Sequence, residues 1–124
     1  MERFALAAAL ALAAGTAAGA DAARGEQLYA RCAACHALEY DRVGPRHCDL
    51  LGRRAGSVPG FDYSPAMKQS KLVWSTETLN RFLADPLKAV PGTTMTYAGV
   101  DDPKERADLI AYLGSKKCPI TSRK

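Results

Sequence analysis

What this sequence lacks most plainly is strand. No stretch of alternating or continuous β-branched and aromatic residues reads as part of a sheet, which leaves an all-α domain. It also has no internal repeat and no long Gly/Ser-rich or Pro-rich linker, so its 124 residues form one domain and not an array or a tethered pair. Beyond the N-terminus no apolar run is long enough to cross a bilayer. Metal donors of the soft or imidazole kind are few, with two histidines and three methionines in all, so any metal site draws on a short set of candidates. Disorder and low complexity are excluded by ordinary globular composition, 48% hydrophobic and 24% charged.

The N-terminus differs in kind from the rest. After Glu2 and Arg3 comes an Ala-rich apolar run, Phe4 to Ala14, and then small residues ending Ala18-Gly19-Ala20 before Asp21. This is the layout of a secretory signal, although Glu2 cancels Arg3 in a short n-region. An uncleaved anchor or a core helix is the alternative, but the run is well under the ~20 residues that span a membrane. The reading is therefore a signal peptide over residues 1–20 and a domain over residues 21–124, exported to the periplasm. Glu2 and Arg3 leave together, so the formal charge of +4 is the same before and after cleavage. A domain of about 100 residues has a marginal core without a staple or a cofactor.

Cys32-Ala33-Ala34-Cys35-His36 supplies the cofactor. C-x-x-C-H is the attachment signature of c-type haem. Each cysteine sulfur adds to one vinyl group, the two-residue gap lets one turn of chain reach both, and His36 follows as the proximal ligand. C-x-x-C also occurs in thioredoxin-like redox sites and as half of a zinc site. The first should open a helix within a β-α-β pattern, and no strand precedes Cys32. The second needs two more ligands at matching spacing, whereas His47 and Cys48 are adjacent.

A second axial donor comes from His47, Met67 or Met95. His47 lies on the same stretch as His36, where reaching the opposite haem face is awkward. Met67 follows Ser64-Pro65-Ala66, a helix start with Ser as N-cap and Pro at N1, and a methionine there is more often core filler. Met95 sits in a Pro/Gly/Thr loop where no packing periodicity explains it, and it is the preferred donor.

Three further helices can be read. Asp102-Pro103-Lys104-Glu105 is a helix start with Glu at N3 in a capping-box arrangement. This helix runs to Leu113, with Gly114 as a C′ stop and Leu109, Tyr112 and Leu113 as its buried stripe. Another runs from about Ala22 to Cys32 with Gly25, Leu28 and Tyr29 on one face. The last starts near Ser75 and ends before Pro86, burying Leu79, Phe82 and Leu83.

From Gly25 to Leu113 the chain resembles class I cytochromes c, in particular the mitochondrial cytochrome c and bacterial cytochrome c2 group. The resemblance rests on Cys32 to His36; Val43-Gly44-Pro45 with Gly52-Arg53; Gly60-Phe61-Asp62-Tyr63-Ser64; Leu72-Val73-Trp74; Asp85-Pro86; and the loop from Pro91 to Val100. It implies terminal helices crossing closely at Gly25 around one covalently bound haem, with Met95 as the sixth ligand. It also implies that Tyr63 and Trp74 donate to one propionate while Arg53 and Thr93 neutralise or cap the haem edge. Two departures stand out. Phe82 occupies a position where many relatives have a Tyr whose hydroxyl bonds the Met sulfur, and Arg46-His47-Cys48-Asp49 replaces the mitochondrial Asn-Leu-His-Gly pattern.

Cys48 and Cys118 lie outside the haem motif. An exported chain rarely leaves two thiols unpaired. The family fold implies that the loop after Pro45 lies near the end of the C-terminal helix, so a disulfide is expected; two unrelated thiols are the alternative. For function, His/Met ligation raises the haem potential and leaves no open coordination site, which suits outer-sphere electron transfer and not catalysis. The expectation is a monomeric periplasmic carrier, not an enzyme, moving one electron between a quinol-oxidising complex or dehydrogenase and a terminal acceptor. A peroxidase or sensor would need a vacant distal site, and a dithiol oxidoreductase would need no haem. By resemblance, partners of acidic character dock at the exposed haem edge near Arg31, Lys68, Lys71 and Lys88, or these charges are ordinary solvated surface. The lysine ring is thinner than in mitochondrial relatives, because Thr94 stands where a Lys is usual.

Overall fold

The computed structural model describes residues 19–120, so the expected signal segment up to residue 18 lies outside the described residues. Helix α1 (Ala22–Tyr29) begins where Asp21 accepts a hydrogen bond from Arg24 N. It is shorter than the sequence predicts. After Tyr29 the chain tightens into turns, with Cys32 N donating to Tyr29 O at 2.8 Å and His36 N to Cys32 O at 2.9 Å. The C-x-x-C-H segment is therefore a compact coil hung from the end of α1.

Short helix α2 (Pro65–Gln69) starts as expected, with Ser64 Oγ accepting from Met67 N and Pro65 at its first turn. Helix α3 (Thr76–Ala84) carries a full capping box between Ser75 and Thr78 and buries Leu79, Phe82 and Leu83. Asp85 then ends α3 and caps a further single turn, α4 (Pro86–Ala89), through its bond from Lys88 N.

Helix α5 (Pro103–Gly114) is capped by Asp102, which accepts from Lys104 N and Glu105 N. Two expectations fail here. The Glu105 carboxylate does not close the capping box but pairs with Arg31 at 2.8 Å. Gly114 is the last helical residue and not a left-handed stop, because Ser115 in right-handed conformation follows it as the cap.

Helix α5 packs on α1 and α3. The α1–α5 crossing depends on Gly25, since a Cβ there would lie 2.0 Å from the Asp108 carbonyl oxygen. Leu28, Leu109, Ile110 and Leu113 are buried, each contributing about 2 kcal/mol of apolar burial. Among the described residues β structure is limited to one isolated bridge, Arg54 to Val73. Cys48 and Cys118 are joined by a disulfide, with Cα atoms 4.8 Å apart across a separation of 70 residues. Beside it Asp49 N donates to Lys116 O at 2.9 Å, which ties the tail after α5 to the loop after Pro45.

Candidate functional site

The helices frame a cleft whose lining includes every site residue named from the sequence: Cys32, Cys35, His36, Arg53, Tyr63, Trp74, Thr93 and Met95. Its floor is apolar, formed by residues such as Leu79, Phe82, Leu83 and Leu109. Phe82 is buried and packs its ring 5.0 Å from that of Trp74 at 55°.

On one wall the C-x-x-C-H coil presents Cys32 and Cys35, neither of them in a disulfide. Burial pushes the Cys32 thiol up, against the opposing pull of Arg31. A reactive dithiol needs the reverse, a thiolate stabilised by its surroundings. Among the described residues no group of three or more His, Cys, Asp or Glu side chains is arranged to hold a metal ion, so the zinc alternative lacks its ligands.

His36 is held closely. Its Nδ1 lies 2.8 Å from Pro45 O, and with a carbonyl as partner the nitrogen must be the donor. That fixes the tautomer and leaves Nε2 with its lone pair, as a metal-binding imidazole requires. Burial lowers the pKa of His36, which favours the neutral ring. Gly44 makes the fit possible, because a Cβ there would lie 2.2 Å from His36 Cε1. Arg42 braces the coil by donating to Ala33 O and to His36 O.

All three candidate second donors reach the cleft. The ring of His47 stacks on that of His36, with centroids 4.0 Å apart and planes 20° from parallel, so His47 stands on the same side as His36 and not across from it. Met67 lines the cleft from α2, and Met95 from the loop 91–100. Thr93, buried, holds that loop by accepting from Met95 N at 3.2 Å.

Tyr63 and Arg53, both assigned to the haem edge, have protein partners of their own. Tyr63 Oη accepts from Val58 N at 3.1 Å, which leaves its proton to donate elsewhere. Arg53 directs its fork at the loop backbone, Nη1 to Cys48 O at 3.2 Å and Nη2 to Arg46 O at 2.7 Å. It therefore braces segment 46–48 while bringing positive charge to the cleft. Sequence reasoning missed three contributors: Arg42, the His36–His47 stack, and Tyr29, whose hydroxyl lies 3.0 Å from His47 Nδ1. The departure at Arg46–Asp49 is the sequence signal that falls on His47. Enclosure pushes His47 well below the usual imidazole range, and the Arg53 guanidinium nearby adds to this, which favours the neutral ring.

The family model for cytochrome c matches residues 22–117. The chain belongs to the cytochrome c family. It is 42% identical over 102 residues to cytochrome c2 of Rhodomicrobium vannielii, covering 80% of this chain and 82% of that one. With cytochrome c of Euglena viridis it shares 43% identity over 100 residues, 78% of this chain and 98% of the other. Among solved structures, cytochrome cH from Methylobacterium extorquens superposes with a TM-score of 0.76 at 46% identity, covering 77% of this chain and 99% of that one. The fold is that of class I cytochromes c, the prosthetic group is haem c, and the family is one of monohaem electron carriers. The cleft fits such a group on its own chemistry. It has two thiols outside any disulfide, an imidazole with one nitrogen already committed to a carbonyl, a thioether on the loop 91–100, and an apolar floor.

Proposed function

We propose that the chain is an exported, monomeric electron carrier whose haem c is held by thioethers to Cys32 and Cys35 and ligated through its iron by His36 and Met95. When bound, haem c supplies a one-electron ferric/ferrous couple. The observation that carries the reading is the Nδ1–Pro45 hydrogen bond of His36, which leaves Nε2 as the nitrogen that would bind iron, in a cleft that Met95 also lines. His36 sets the proximal side. Met95, tethered through Thr93, would supply the other ligand, and a haem held by both would have no position for a small substrate, which argues for electron transfer and against an enzyme. Leu79, Phe82 and Leu83 exclude water, and Arg53, Tyr63, Trp74 and Thr93 meet the propionate edge. Phe82 offers no hydroxyl to the Met95 sulfur.

Export is supported by the N-terminal sequence pattern and by the disulfide, which persists in an oxidising compartment such as the periplasm. Processing after Ala20 would also convert the Asp21 amide, 2.7 Å from Asp108 Oδ1, into an α-ammonium paired with a buried carboxylate. Among the described residues no helix is long and apolar enough to cross a membrane. Redox proteins with acidic faces are the proposed partners. Lys68, Lys71 and Lys88 are exposed and available to them, whereas Arg31 is engaged by Glu105. A quinol-oxidising complex or a dehydrogenase is the donor, and a terminal acceptor receives the electron.

The axial pair is tested by the weak near-infrared absorption of a thioether-to-ferric-iron bond. Met95→Ala should abolish that band, and Met67→Ala should keep it. The reverse pattern would move the ligand to Met67, and a wild type without the band would remove methionine ligation altogether.

A further inference from the structure

The His36–His47 stack has no role in the ligation scheme above, and it is not an economical way to fill space. His47 stands where the mitochondrial pattern has Leu, an aliphatic residue that needs no polar partner. A half-buried imidazole does need one, and it has one in the Tyr29 hydroxyl, 3.0 Å from Nδ1. Tyr29 is itself fixed, 9% exposed at the end of α1 with its ring 5.5 Å from that of Tyr112 on α5. The backbone on either side of the ring is also pinned. His47 N donates to Ala37 O at 3.1 Å, Cys48 N to Leu38 O at 2.8 Å, and Arg53 clamps Arg46 O and Cys48 O. The disulfide from Cys48 adds a covalent anchor. His47 is thus one of the most constrained side chains around the cleft, and its flat face is spent on the ring of the proximal ligand.

We infer that His47 is a positioning residue for the haem iron: it fixes the plane of the His36 imidazole by stacking on it and places a polar ring beside the proximal ligand, with Tyr29 holding the stack in register. Rotation of His36 about its Cβ–Cγ bond would open the 20° stack and break the Nδ1–Pro45 bond together, so the two contacts hold one ring orientation. The second effect is electrostatic. The ferric state carries one more positive charge than the ferrous state, and a polarisable heteroaromatic ring beside the ligand favours it relative to an aliphatic wall. Replacing His47 by Leu therefore favours the reduced state.

The inference rests on His36 as an iron ligand. The two fail differently: if His36 is not a ligand, the wild type itself lacks a six-coordinate haem spectrum, whereas failure of the inference leaves that spectrum intact. The experiment compares holoprotein of wild type, His47→Leu and Tyr29→Phe by proton NMR of the ferric haem methyl groups and by redox titration. In His47→Leu the spread of the methyl resonances should change. The electron-exchange equilibrium with a fixed redox partner should also move about threefold toward reduced protein, tenfold being about 59 mV for one electron. Tyr29→Phe keeps the stack but removes its anchor, and should shift both readouts in the same direction by less. A methyl pattern and an equilibrium unchanged in His47→Leu, whatever happens to its melting temperature, would overturn the inference and make His47 packing only. Should His47→Leu fail to fold, Tyr29→Phe decides in the same way, and unchanged readouts there overturn it.

Discussion

Removing the Cys48–Cys118 bridge frees the tail after α5 and loosens the unfolded chain. The bridge closes a separation of 70 residues. In the chain-entropy model, cross-linking a loop of that length removes enough freedom from the unfolded chain to stabilise the fold by about 4 kcal/mol. Neither haem cysteine lies within that loop, so attachment of haem does not shorten it. Bridges commonly deliver less than the model, so a loss of about 2–4 kcal/mol is expected. Cys48 is fully buried, and Cys48→Ala leaves a small void as well, so the cleaner comparison is one sequence in its oxidised and reduced forms. Urea unfolding reports it through the single tryptophan, Trp74, which is buried against the haem cleft. Reduction should lower the midpoint and steepen the slope, because the unfolded chain without the cross-link exposes more surface. The tail beyond Ser115, which the bridge and the Asp49–Lys116 bond hold down, should gain proteolytic sensitivity first. Titration of the denatured, unreduced holoprotein should find no thiol, and two after reduction. Two thiols before reduction would rule out the bridge in solution, and a loss below about 1 kcal/mol would rule out its stabilising role.

Two further outcomes follow from the charges. Asp108 is held below the usual carboxyl range first by the bond from Asp21 N and then by Lys104, 2.5 Å away. A depressed folded pKa means its stabilisation is full above the unfolded value, about 4, and is lost as pH falls through the folded one. Asp108→Asn should therefore melt below wild type at pH 7, and the gap should close under acid; a gap independent of pH would count against the pairing. Electron exchange with an acidic partner should slow as salt shortens the Debye length from about 10 Å at 0.1 M to about 3 Å at 1 M. A rate that does not change with ionic strength would exclude steering by Lys68, Lys71 and Lys88.

The parts of this molecule that could be read from sequence are those with local causes. Ser64-Pro65, Ser75 and Asp102-Pro103 carry their capping chemistry within four residues, and each starts a helix where expected. C-x-x-C-H sets its own spacing, and all eight residues assigned to the cofactor line one cleft. What escaped depends on distant neighbours. Glu105 suited a capping box, but Arg31, close only after α1 crosses α5, offers a full charge and wins its carboxylate. Gly114 resembled a helix stop, yet Ser115 continues in right-handed conformation, its N–H bonded to Tyr112 O, before the chain carries Cys118 to Cys48. Helix α1 ends early because both cysteines and His36 must face the cleft, and i→i+3 turns allow this where an unbroken helix does not. His47 looked like a stray donor. Only the folded coil brings it against His36 on one side and Tyr29 on the other.

The central claim is that one haem is bound covalently through Cys32 and Cys35. A pyridine haemochrome spectrum of the protein exported from cells with working haem-ligation machinery, taken before and after acid–acetone extraction, tests it directly. The expected result is one haem per chain, the haemochrome of a group whose two vinyls are saturated, and colour that stays with the polypeptide on extraction. A colourless protein, or haem that leaves with the solvent, would contradict it.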